Sequence, residues 1–91
     1  MNEESYEDTV ENLKKDLEYL IESLKFDFAE LICTRLNALG LTPHDLARRM
    51  KVSDEFIREV FAGDITPCID TMVKMSLALG CKINITLKEN K

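Results

Sequence analysis

The apolar residues Val10, Leu13, Leu17, Leu20 and Leu24 lie alternately three and four positions apart. That alternation lays one leucine-rich stripe along a helix, like the a and d positions of two heptads, with Tyr6 and Ile21 extending it. Two heptads are short for a helix that stands alone, so the stripe requires a partner surface. The partner is either the same helix of a second chain or the rest of this chain. Phe28, Ile32, Leu36 and Leu39 then form the expected buried face of a helical segment over about 26–39, which Gly40 ends. No Gly or Pro separates Leu24 from Phe26, so a single helix through both segments is also compatible with the sequence.

Residues 41–63 read as two short helices joined by a tight turn. Thr42 is placed to cap the first, and Pro43 follows where a missing N–H costs nothing. Asp45 reaches back to that cap and complements the positive end of the helix dipole. Leu46, Ala47 and Met50 share one face. Lys51-Val52-Ser53 is the turn, with Val52 expected to plug the core and Ser53 to cap the second helix. Ile57 and Val60 point inward there, and Gly63 supplies the left-handed stop. The small Ala47 lets the two helices cross closely.

A loop follows Gly63, and Thr66-Pro67 repeats the helix-start signal. The helix it predicts carries Ile69, Met72, Val73, Met75 and Leu79 and closes at Gly80. With Met72, Met75 and Leu79 facing the core, Val73 and Leu77 form a second apolar stripe. The N-terminal helix, the C-terminal segment or a second protomer is expected to cover it. Over Cys81–Lys88 the period changes to two: Ile83, Ile85 and Leu87 alternate with Lys82, Asn84, Thr86 and Lys88, which predicts a strand. A lone strand cannot satisfy its own backbone, and no second strand is evident, so it points to pairing with another protomer or another protein's sheet edge.

Composition narrows the class. Ninety-one residues, 45% hydrophobic and 32% charged, allow one small globular domain with an appended element. The charge is uneven: residues 1–24 hold eight acids and two bases, and residues 25–91 ten bases and nine acids. No apolar run reaches the ~20 residues of a membrane span, and the acidic N-terminus does not read as a signal peptide, so a cytoplasmic protein is expected. Cys33, Cys68 and Cys81 are an odd number with no close pair, which argues against a disulfide framework or a zinc site and for reduced, partly buried thiols. The methionines are spaced as core fillers. With one histidine, no Ser/His/Asp arrangement and no phosphate-cradling glycine loop, no catalysis, cofactor, metal or small-molecule substrate is expected.

On Gly40-Leu41-Thr42, Leu46-Ala47, Val52-Ser53, Ile57, Gly63 with Pro67 beyond it, and Asp70–Met75 through Ala78-Leu79-Gly80, the chain resembles the Cro/phage-repressor (xenobiotic-response-element) class of helix-turn-helix domains over about residues 28–88. Its tail, Gly80–Leu87, looks like the strand that follows the last helix in single-domain members, including antitoxins of toxin–antitoxin pairs. The resemblance implies a mainly α, lambda-repressor-like domain of four or five helices over residues 26–80. An acidic amphipathic helix over 1–25 precedes it, and a strand and tail over 81–91 follow.

It also implies that the helix starting at Ser53 enters a DNA major groove, with Asp54, Glu55, Phe56, Arg58 and Glu59 at the reading positions. Thr42, His44 and Arg48 would lie by the phosphate backbone. Members commonly carry Gln, Ser, Thr or Arg at the reading positions, whereas this chain places Asp54, Glu55 and Glu59 there, and Asp64 just past Gly63. A carboxylate accepts chiefly from the cytosine amino group and is repelled by phosphates. Arg48, Arg49, Lys51, Arg58, His44 and Lys74 would have to offset these acids. His44 also reads as a solvated surface residue, and Phe56 or Phe61 as core. The expected function is sequence-specific binding of double-stranded DNA by a homodimeric regulator. The alternative is a protein-interaction module, antitoxin-like, on the same fold. Leu13, Leu17, Leu20, Leu24, Val73, Leu77, Ile83, Ile85 and Leu87 are the candidate dimer or partner contacts.

Overall fold

The computed structural model describes residues 3–89, with side-chain surroundings from Lys14 onward, and shows four helices and no strand among them. They are α1 (Glu3–Leu39), α2 (Pro43–Met50), α3 (Asp54–Ala62) and α4 (Ile69–Ala78). The two N-terminal segments are one helix. Nothing in the 37 residues of α1 interrupts its hydrogen-bond ladder. At 1.5 Å per residue such a helix is about 55 Å long, which accounts for the 53 Å longest dimension beside widths of 25 and 19 Å.

Capping chemistry sets the other boundaries. Thr42 and Asp45 form a reciprocal capping box, and Ser53 Oγ accepts the Phe56 amide at 3.0 Å. All four helices close with the same pair of bonds, one amide reaching back three residues and the next reaching back five. The residue that turns left-handed is glycine in three of them; in α2 it is Lys51, at φ 59°. A side chain there costs free energy that glycine avoids. The last helix begins later than Thr66-Pro67 suggests. Its N-cap is Cys68, which makes no side-chain capping bond.

Leu46, Ile57, Met75 and Leu79 are fully buried and tie α2, α3 and α4 together, with Phe28, Ile32 and Leu36 of α1 closing the core. Ala47 is buried where α2 packs on α3 and α4. Phe56, Phe61, Met50, Met72 and Ile83 lie partly buried against this cluster. Two expectations are corrected, and a third is not met within the single chain. Leu39 is exposed, because the stripe that starts at Phe28 has rotated off the core by the last turn of α1. Val52 is at the surface, since the bonds that close α2 hold its backbone at the turn. The strand over 81–88 is not an element of the single chain: residues 81–89 have no regular structure, because no second strand among the described residues meets their N–H and C=O groups.

Neither apolar stripe on the outside is covered by the described residues. Leu17, Leu20 and Leu24 are 55%, 54% and 65% exposed, so this part of α1 does not fold back on its own domain. The side chains of Val10 and Leu13 lie outside the described residues. On α4, Val73 and Leu77 are exposed, and so is Ile69.

Candidate nucleic-acid interface

The α2–turn–α3 unit holds the first residues of α3 at the surface by burying Ile57 and Val60 beneath them. Asp54, Glu55 and Arg58 are exposed; Glu59 and Phe56 are half-buried, Phe56 against the core. Beside them, Thr42, His44 and Arg48 of the α2 end are also exposed. The structure therefore brings the residues expected for DNA contact onto adjoining surfaces of one unit. Val73, Leu77 and the leucines of α1 belong to other elements.

Two pairings change the chemistry of this surface. His44 Nδ1 lies 2.8 and 2.9 Å from the two carboxylate oxygens of Asp54, linking the first turn of α2 to the first turn of α3. At the α2 N-terminus, Asp45 Oδ2 accepts from the Thr42 amide at 2.9 Å and from its hydroxyl at 3.1 Å, while the Asp45 amide donates to Thr42 Oγ1 at 3.2 Å. The Thr42 bonds, aided by His44 and Arg48, hold the Asp45 carboxyl below the usual carboxylate range. With Pro43 lacking an N–H, the His44 amide is the remaining donor of this turn, so a phosphate arriving here meets one free amide and a neighbouring carboxylate.

Several bases are committed to the fold. Lys25 of α1 donates to the Gly63 carbonyl at 2.8 Å and also pairs with Glu22. Arg35 donates to the Leu79 carbonyl at 3.0 Å, and Arg49 to the Ala78 carbonyl at 2.9 Å. Each cation sits at the negative end of a helix, α3 for Lys25 and α4 for the two arginines. Sequence reasoning missed these caps. Their partners lie 38, 44 and 29 residues away, so no local spacing marks them. Among the bases expected to offset the acids, Arg48, Lys51, Arg58 and Lys74 make no ion pair among the described residues, whereas Arg49 and His44 are engaged.

The cysteines are free. Burial, then the Glu30 charge, raises the Cys33 thiol, while the contact with the Thr71 hydroxyl, 3.3 Å away, lowers Cys68. No group of His, Cys, Asp or Glu among the described residues is arranged to hold a metal. None of the described helices is long and apolar enough to cross a membrane.

Short capped helices around one core, with the second helix of a tight pair presented outward, define a helix-turn-helix domain. Residues 34–85 match the helix-turn-helix family model, and the chain belongs to that family, of the Cro/phage-repressor (XRE) type. This is a family of DNA-binding transcription regulators and is generally non-enzymatic. No curated protein and no solved structure matches the chain.

Proposed function

We propose that this chain is a sequence-specific, double-stranded DNA-binding transcription regulator that acts in the cytoplasm as a homodimer. The observation that carries the reading is the pre-organised α2–α3 pair, which offers Arg58 and two acids of α3 on the surface that the family uses for DNA. In this role α3 lies in the major groove. Asp54, Glu55 and Glu59 accept from base amino groups, mainly cytosine's, while Arg58, Arg48 and Lys51 hold phosphates. Two copies read two half-sites about one helical turn apart. The tail over 81–88 becomes a strand by pairing with the same segment of the second copy, which satisfies the backbone that a single chain leaves open. Exposed Ile85 and Leu87 accord with that role, whereas Ile83 already packs on the core.

The test is selection of bound duplexes from a random-sequence pool, followed by titration of the enriched sequence. The reading expects a two-fold-related site rich in C·G pairs and salt-weakened binding that Arg58→Ala reduces. A pool that never enriches at low salt would refute it. One observation favours a second reading, an antitoxin-like protein-interaction module: the reading helix is acidic, and Lys25, Arg35 and Arg49 serve helix ends rather than a basic face. That reading expects a stable complex with a protein partner, through α3, that survives salt and nuclease.

A further inference from the structure

The chain carries two uncovered apolar faces of opposite electrostatic character. Before Lys25, α1 extends beyond the domain. From Lys14 to Leu24 every described side chain is exposed except half-buried Ser23. Its apolar face is Leu17, Leu20, Ile21 and Leu24, and Asp16 and Asp27 lie at its two ends at helical spacing. Residues 1–24 carry eight acids against two bases. An amphipathic helix of this kind owes its stability to burying its stripe, and nothing among the described residues does so.

The second face is on α4. Ile69, Val73 and Leu77 recur every four residues and are 64%, 38% and 64% exposed. Leu77 continues into a shallow groove shared with Met50, Ala78, Arg49 and Lys74. Its apolar floor therefore has two cationic walls. Among the described residues, neither α1 nor the tail of the same chain covers it.

We propose that these faces are partners across two copies: the leucine face of α1 in one protomer docks on the α4 face of the second, and the reverse contact forms by two-fold symmetry. Charge selects this pairing. An α1–α1 contact brings two strongly acidic segments together in either direction, and parallel alignment also stacks Asp27 on Asp27 in the leucine seam. Docking on α4 sets Asp16 and Asp27 near Lys74 and Arg49 instead. Reciprocity forms the contact twice, which moves the buried area toward the roughly 1,200–2,000 Å² of a stable interface. This inference rests on the homodimer reading above and adds a reciprocal pair of surfaces to the pairing of the tails.

The experiment is sedimentation velocity on the full chain and on two charge variants, Lys74→Glu and the double variant Asp16→Lys/Asp27→Lys, alone and mixed. All altered side chains are exposed, and circular dichroism checks that each variant melts like the parent. The proposal expects a dimeric parent, at least tenfold weaker self-association of each variant, and recovered dimer in the equimolar mixture. In that mixture one contact is native, and in the other the introduced lysines meet the introduced glutamate beside an unchanged Arg49. A dimeric parent indifferent to Lys74→Glu would overturn the docking and leave the homodimer reading standing. So would two weakened variants that do not recover on mixing. A monomeric parent at high concentration would overturn both.

Discussion

Neutralising the two glutamates of the reading helix, Glu55→Gln with Glu59→Gln, is predicted to strengthen binding to arbitrary duplex DNA while weakening preference for the selected site. A carboxylate about 8 Å from a phosphate is repelled by about 0.5 kcal/mol in water before screening. A helix in the major groove runs between two phosphate rows, so about two such terms per glutamate, or about 1 kcal/mol, apply at low salt. Glu55 is exposed and Glu59 half-buried, so neither is held away in the core. The pair then gives about 2 kcal/mol, roughly thirtyfold in affinity. Near 0.15 M salt, a Debye length of about 8 Å cuts this to severalfold. Loss of a carboxylate that accepts from a cytosine amino group lowers discrimination by about 1–3 kcal/mol per contacted base pair. Fluorescence anisotropy with a selected and a scrambled duplex, at two salt concentrations, reads both quantities. Unchanged affinity for the scrambled duplex at low salt would refute the placement of these acids beside phosphates. Asp54→Ala is the informative contrast, because that carboxylate is held by His44 and its loss also frees the imidazole.

Further expectations concern the fold that presents this surface. Leu46 is fully buried at the meeting of α2, α3 and α4, so Leu46→Ala should cost about 2–5 kcal/mol in urea denaturation. An undiminished midpoint would contradict the core described. Lys25→Met keeps the aliphatic stem but removes the bond to the Gly63 carbonyl, with an expected loss of about 1–2 kcal/mol by the same assay. Lys51→Gly relieves the left-handed side chain that closes α2 and should stabilise by about 0.5–1 kcal/mol; a destabilised variant would show that Lys51 has a packing role. The lowered Asp45 carboxyl contributes stability that is fully present above the ordinary Asp value of about 3.9 and is lost as pH falls through the lower folded value. Thermal melts of Asp45→Ala should therefore lie below the parent at pH 6 and converge with it in strong acid.

The helix-turn-helix was legible because its signals are local. Thr42 with Asp45, Ser53, and the inward spacing of Leu46, Ala47, Ile57 and Val60 all act within one or two turns, and the structure repeats them. Leu39 and Val52 misled because apolar character at a plausible spacing does not fix the angle at which a helix or turn leaves the core. The Lys25, Arg35 and Arg49 caps were not legible, since a cation's partner is a carbonyl that carries no sequence identity. The His44–Asp54 pair lay half in view. Both residues stand out in sequence, but only the α2–α3 crossing brings them together. The period-two tail is a latent pattern: its alternation is plain, yet a strand needs a neighbour that the described residues do not supply.

The most direct test of the central claim is a ¹⁵N-resolved NMR titration of the full chain with the selected duplex. The account predicts the largest amide shifts over Thr42–Asp45 and Ser53–Glu59, with Leu17–Leu24 of α1 unmoved. Shifts confined to α1 and α4, or none at saturating DNA, would contradict a DNA-reading role for α3.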